Sequence, residues 1–472
     1  PPPPPPPFFF STPLPQPPIL SGLVGSEMCI RDSCYSRPVM ALNPLAQELN
    51  EAIRGQSPDA FELLSERGRA LYMPNGIISQ STEAAEKAPR INATIGVATE
   101  GDGPMALGSI TEQLGSLPPA DVLHYAPTAG KPAWREAGRQ KLLDENPTMR
   151  GSVFGLPIVT SAITHGLALV GELFVDPGDR IVLPDKLWGN YRLTYGVRLG
   201  AEIEPFATYD GEGTRLDTQA FAGALLTGPE KVIALLNFPN NPTGYMPSPA
   251  EVQELRDGIL RAAEAGKRIL VIVDDAYFGL VYSDEALQES PFGMLSNLHP
   301  RVLTLKLDAA TKEAFVWGLS CGLMTFGPPP VEDPAPLLAA LERKVMGAIR
   351  GGVSSSPAIS QQLVLEALRS PRFEQDRRDK FETLRARARR VDEVVRLARY
   401  RESWDVYPFN AGYFMCIRVK GVEAEALRLH LLEKYGVGVI SLGTSDIRVA
   451  FSCVEEPEIE PRFESIHAAS QE

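Results

Sequence analysis

Asn237-Phe-Pro-Asn-Asn241-Pro-Thr-Gly244 is followed by Asp274-Asp-Ala-Tyr277 and then by Lys312. Each segment comes directly after a short apolar run rich in β-branched residues, at 232–236, 269–273 and 302–307. Near-continuous apolar runs of that length suit strands buried on both faces. Helical stretches separate them, which predicts parallel βαβ units. In open α/β sheets, ligands sit outside the carboxyl ends of the strands. The three segments are therefore expected to converge. They would bring a carboxamide (Asn241), a carboxylate with a phenol (Asp274 and Tyr277) and an amine (Lys312) around one ligand.

The alternation extends outward. Residues 158–160 read as a strand running into a helix over about 164–174, and 180–183 as a strand after the turn Asp176-Pro-Gly-Asp179. Residues 131–143 form an amphipathic pattern with Pro132 placed in its first turn. Upstream, 45–53 and 58–71 read as helices, followed by loop to Arg90, and 91–96 opens the next core. Downstream, Phe381, Leu384, Ala388, Val391 and Val395 step by three and four, as on one face of a long helix. Residues 410–469 look like an α+β unit. Asp275, following a strand, reads as a helix N-cap.

The composition, 44% hydrophobic and 22% charged over 472 residues, is that of an ordinary globular protein. A net charge of −13 with no basic block argues against nucleic-acid binding. No apolar stretch approaches the length of a membrane span. The five cysteines have no metal-ligand spacing in the body of the chain, so no metal is expected, and they read as free thiols in a reducing compartment. The Pro-rich residues 1–39 are set apart. Residues 22–33 resemble a translated sequencing-adapter read-through, which places the expected native start at Met40. The alternative is a genuine Pro-rich extension.

In order and spacing the motifs resemble the class I/II pyridoxal-phosphate-dependent aminotransferases of fold type I, the aspartate aminotransferase-like superfamily. Taken singly the residues are commonplace: a lysine is usually a solvated charge, and Asn-Pro-Thr-Gly is an ordinary turn. Together, with Gly318 and Gly322 following Lys312 at the family's spacing, they carry the resemblance. It implies an α/β fold with a large, mostly parallel sheet domain at 98–383 and a smaller α+β domain built from 40–97 and 384–472. It implies pyridoxal 5′-phosphate as cofactor. Lys312 would bond the cofactor's aldehyde and then act as general base. Asp274 would pair with the pyridine nitrogen, Tyr277 and Asn241 would bind the phenolic oxygen, and Trp188 would stack on the ring. The phosphate would lie at a helix N-terminus, on the N–H groups of Ala162 and Ile163 and the Thr164 hydroxyl. Tyr125 resembles a tyrosine that reaches the phosphate from a neighbouring subunit. Arg448 would grip the substrate α-carboxylate. Arg350, also from the other subunit, would take a distal carboxylate, so a homodimer is implied.

The expected activity is ping-pong amino transfer from an L-amino acid to a 2-oxo acid in the cytoplasm. Arg350 favours aspartate, glutamate or a pair that includes an aromatic amino acid. The same scaffold also hosts β-lyases such as C–S lyases, and degenerate cofactor-binding homologues. Two positions depart from the family pattern. Ser320 stands where an arginine usually clamps the phosphate, and Ala309 where many relatives carry serine. The usual glycine of the phosphate loop is also absent.

Overall fold

The apolar runs that precede the three segments become neighbouring strands of a seven-stranded sheet. The computed structural model describes residues 42–472 apart from 73–76, 89 and 102. We number the strands of this sheet in chain order: β1 (Ile158–Thr160), β2 (Arg180–Pro184), β3 (Glu202–Phe206), β4 (Lys231–Asn237), β5 (Arg268–Asp274), β6 (Val302–Ala309) and β7 (Gly322–Gly327). Their spatial order is β1-β7-β6-β5-β4-β2-β3. Only β7 runs against the rest, antiparallel to both β6 and β1. In the register, Asn237 lies opposite Asp274, and Asp274 opposite Leu307. The carboxyl ends of β4, β5 and β6 therefore lie side by side, one strand spacing of about 4.8 Å apart.

Both faces of this sheet are covered, which is why its strands lack polar alternation. Ile233 and Leu235 of β4 and Ile272 of β5 pack on one side with Leu167 and Val170 of helix Ala162–Phe174. Val232, Ala234 and Leu236, with Val271, pack on the other with Leu255 and Ile259 of helix Pro249–Glu264. That second helix opens with a capping box in which Ser248 and Glu251 satisfy each other's backbone N–H groups.

A separate four-stranded antiparallel sheet follows, in the order Trp404–Val406, Phe414–Val419, Asp446–Ala450, Ile440–Leu442. Leu384, Ala388, Val391 and Val395 of helix Phe373–Val395 are buried, as their spacing predicts. The short strand Ile91–Asn92 pairs with Val437–Gly438, so the segment before the large sheet joins the C-terminal part of the chain. Among the described residues no helix is long and apolar enough to cross a membrane.

Three expectations are corrected. Residues 58–71 do not form one helix: Pro58–Glu62 and Glu66–Ala70 are separate, because the Ser65 side chain accepts from Gly68 N and starts a second helix. The stretch expected as loop contains helix Ile77–Lys87. Its second half, Glu83-Ala-Ala-Glu-Lys87, consists of good helix formers, and Gln80 ties the helix to Ser441. Asp275 caps no helix. It is fully buried, accepts from the Ser290 hydroxyl at 2.5 Å and pairs with Lys306 at 3.1 Å. The expected leader, residues 1–39, and Met40 lie outside the described residues.

Lys306, on β6, is 1% exposed and also bonds Asp308. Burial presses its pKa down, and the charges of Asp308 and Asp275 outweigh that and raise it. This lysine is structural: removing it strands buried Asp275 and takes the partner from Asp308. Lys306→Met is expected to lower unfolding free energy by about 3–5 kcal/mol, measured by chemical denaturation of the cofactor-free protein. A loss below about 1 kcal/mol would show that the two acids find other partners.

Candidate active site

The site forms where β4, β5 and β6 end. Asn237 closes β4 and works as a clamp. Its Oδ1 accepts from Asn241 N at 2.9 Å, and its Nδ2 donates to the Asp274 carbonyl at 3.1 Å. The turn after it is held by Asn240, whose Oδ1 accepts from Thr243 N and Oγ1 at 3.2 and 2.8 Å. Gly244 has φ +74°, and a Cβ there would lie 2.0 Å from the Phe414 carbonyl. Glycine is therefore required where this turn meets the four-stranded sheet.

Asp274, at the end of β5, is 1% exposed. Its Oδ2 accepts from the Tyr191 hydroxyl at 2.6 Å, and its Oδ1 from Ala276 N at 3.1 Å. Burial pushes its pKa up to about 6, against the pull of Tyr191 and the Lys312 charge. Tyr277 is buried three residues on. Burial raises its phenol; the Arg448 charge and a hydrogen bond with Asn241 oppose that, while the Asp274 charge adds to it.

Lys312 sits on a single helical turn, Ala310–Glu313, directly after β6. Its ammonium lies 5.1 Å from the Tyr277 ring centroid, within cation–π range. Burial lowers its pKa, and the Asp274 charge only partly opposes this. Arg448, on strand Asp446–Ala450, is 1% exposed. It donates to Asn241 Oδ1 at 3.2 Å and to the Thr94 carbonyl at 2.8 Å, with its guanidinium 4.1 Å over the Phe414 ring. Its Nε has no partner among the described residues. Asp274, Lys312, Tyr277, Asn241 and Arg448 thus come together.

Trp188 is half-buried and meets Tyr191 edge-on at 5.5 Å. Ser161 precedes helix Ala162–Phe174, so the N–H groups of Ala162, Ile163 and Thr164 lie in a first turn that offers them no helical carbonyl. Ala162 has φ +62°, the left-handed conformation usual for the glycine that the sequence lacks here. Gly322 packs against this turn, and a Cβ on it would come within 2.8 Å of Ala162 Cα. Ser320 is likewise left-handed, at φ +48°. Two candidates stand apart. Tyr125 is 92% exposed. Arg350 is exposed on helix Ala335–Gly352, and its guanidinium donates to Ser354 at 2.7 Å.

Three contributors escaped the sequence reading. Tyr191 holds Asp274, Asn237 clamps two loops, and Tyr413 donates to the Lys312 carbonyl at 2.9 Å. Asn237 opens the Asn237–Gly244 motif and Tyr191 follows Trp188 by three residues, but their roles depend on contacts between distant segments.

The geometry suits a cofactor with an amphoteric ring. Buried Asp274 and half-buried Lys312 feel each other's charge but make no contact ion pair among the described residues, and neither does Arg448. The donors and acceptors available match a ring nitrogen, a phenolic oxygen and an aldehyde. The aminotransferase class I and II family matches residues 116–466. The chain belongs to that family, and it is a transferase that works with pyridoxal 5′-phosphate. A probable aspartate/prephenate aminotransferase of Aquifex aeolicus is 29% identical over 58% of this chain and 64% of its own length. The aspartate aminotransferase of Rhizobium meliloti is 27% identical over 74% of this chain and 83% of its own. Among solved structures, an aminotransferase of Anaerococcus prevotii superposes with a TM-score of 0.76 at 21% identity, over 87% of this chain and all (100%) of its own. At that identity the likeness speaks for the fold.

Proposed function

We propose that this chain transfers the amino group of an L-amino acid to a 2-oxo acid, with Lys312 as the proton-carrying amine. The observation that carries this reading is the meeting of a buried carboxylate, an amine and a buried guanidinium that form no ion pair among the described residues. Bound pyridoxal phosphate supplies the electron sink for charge developing at the amino acid's Cα. Asp274 keeps a proton on the ring nitrogen, held in place by Tyr191. Tyr277 and Asn241 bind the phenolic oxygen, and Trp188 covers the ring. The first-turn N–H groups of Ala162 and Ile163, with the Thr164 hydroxyl, receive the phosphate. Lys312, its pKa lowered by burial, takes the Cα proton as general base. Arg448 grips the α-carboxylate, for which its free Nε is available.

Tyr125 and Arg350 complete the site from a second copy of the chain; their exposure supports this. Residues 98–383 form the cofactor-holding domain, and 40–97 with 384–472 the smaller one. Aspartate or glutamate, or a pair including an aromatic amino acid, is the substrate class. The names of the Aquifex and Rhizobium relatives support it. The free thiols of Cys321, Cys416 and Cys453 accord with a cytoplasmic setting.

A half-reaction screen tests the reading. Holoprotein is mixed with each amino acid and the cofactor spectrum followed, then a 2-oxo acid is added to restore it. Pyruvate and ammonia released without an acceptor would instead mark a β-lyase, and no spectral change with any amino acid would sink both. Ser320 gives a further expectation. Ser320→Arg restores a charged donor worth about 1.5–3 kcal/mol, so cofactor affinity should tighten by roughly tenfold to a hundredfold. Titration of the cofactor-free variant checks this, and unchanged affinity would place the phosphate away from residue 320.

A further inference from the structure

We infer that Tyr413 is a positioning residue that holds the Lys312 turn in its working place, an inference that rests on the role proposed for Lys312. The turn Ala310–Glu313 is one turn long, too short to be stable by itself. It runs into Phe315, a buried aromatic residue with φ +56°. Such a conformation persists only where surrounding contacts over-determine it.

Two anchors hold the turn. Glu313 accepts from Lys141 Nζ and Arg377 Nη1, both at 2.5 Å, which ties the turn to helices Pro132–Glu145 and Phe373–Val395. The other anchor is the Tyr413 hydroxyl, which donates to the Lys312 carbonyl at 2.9 Å.

Tyr413 is itself immobilised. Asn410 N and Ala411 N both donate to the Gly244 carbonyl at 2.9 Å, and Gly412 N to the Leu280 carbonyl at 2.8 Å. The Tyr282 hydroxyl holds the Gly412 carbonyl at 2.7 Å. The Tyr413 side chain is fully buried, and its ring packs edge-on against Tyr277 at 5.4 Å and tilted against Trp317 at 6.3 Å. The next residue, Phe414, lies under Arg448 and edge-on to Tyr277 at 5.6 Å. One dipeptide therefore sets the spacing between the amine, the phenol and the guanidinium. A displacement of about 1 Å in such a constellation costs on the order of 100-fold in rate.

Tyr413→Phe removes the hydroxyl and keeps the ring. In the full-length protein loaded with pyridoxal phosphate, we expect kcat to fall by about 10- to 100-fold, with KM for the amino acid nearly unchanged. The isotope effect with a Cα-deuterated amino acid should rise, because proton removal becomes slower. The pH midpoint of the bound cofactor's absorbance should also shift. A purely structural role would lower the melting temperature and leave the isotope effect and the pH midpoint at wild-type values, and that outcome overturns the inference. If Tyr413→Phe fails to fold, Tyr282→Phe, which releases the Gly412 carbonyl next to Tyr413, is measured by the same two readouts; wild-type values there overturn the inference. Lys312→Ala is run alongside. If it titrates as wild type does, the role of Lys312 falls and this inference with it. If it abolishes the titration while Tyr413→Phe leaves it unchanged, only the inference falls.

Discussion

Lys312→Ala is expected to lower the rate of amino transfer by at least about 10²- to 10⁴-fold, the contribution of a positioned general base. Lys306, the nearest lysine along the chain, is locked between Asp275 and Asp308 at 1% exposure. Single-turnover measurement of the amino-acid half-reaction reads the loss, and a variant that kept full rate would remove Lys312 from the chemistry. Stability should move the other way. Burial lowers the pKa of this amine from its ordinary value of 10.5. Between the lowered pKa and that value the unfolded chain binds more protons than the folded one, so stability rises with pH across this window. The penalty is fully present at lower pH. Lys312→Ala should therefore flatten the pH dependence there and stabilise the cofactor-free protein at neutral pH.

Asp274→Asn is expected to separate folding from function most sharply. In the folded chain the carboxyl titrates at about 6, against an ordinary value of 3.8. The sign follows directly. Between those values the folded state binds more protons than the unfolded state, so stability falls as pH rises through the window. Above it the full penalty applies, about 3 kcal/mol for a shift of about two units. The amide carries no charge to desolvate. The cofactor-free variant should therefore be more stable than the parent by up to about 3 kcal/mol at neutral pH, and equal to it below about pH 4. With cofactor the order reverses, because an amide cannot hold a proton on the ring nitrogen. Losing a charged hydrogen bond of about 1.5–3 kcal/mol predicts a rate roughly tenfold to a hundredfold lower. Urea denaturation at several pH values and stopped-flow half-reactions test the two halves. A destabilised variant at neutral pH would show that Asp274 is already paired in the folded chain.

Both expectations reflect one arrangement. The cofactor-free protein holds charges in its interior that its own groups compensate only in part. Stability is given up where chemistry requires it, and the left-handed Ala162, Phe315 and Ser320 around the same centre belong to that pattern.

The large sheet was legible because burial on both faces leaves a plain signal. Residues 232–236, 269–273 and 302–307 are apolar almost throughout, and each became a strand within a few residues of the expected limits. The edge strand Glu202–Phe206 lacks that signal, since half of it faces outward. Helix Ile77–Lys87, missed in the sequence, is tied to the C-terminal part of the chain, where Gln80 and Ser441 hydrogen-bond each other. Asp275 was misread as a cap because a strand-end aspartate looks alike in sequence whether it meets a helix or a buried lysine.

Strand period and motif order lie along the chain, so the residues by themselves determined the family resemblance and the convergence of Asn241, Asp274 and Lys312 at three strand ends. Which of two adjacent aspartates meets Tyr191 and which meets Lys306, and what pins the Lys312 turn, was decided only in three dimensions. Those assignments rest on contacts between residues far apart in the chain, Tyr191 with Asp274 and Tyr413 with Lys312 among them. No local periodicity encodes a partner at that distance; only the packed sheet and the loop clasped onto it bring the two ends together.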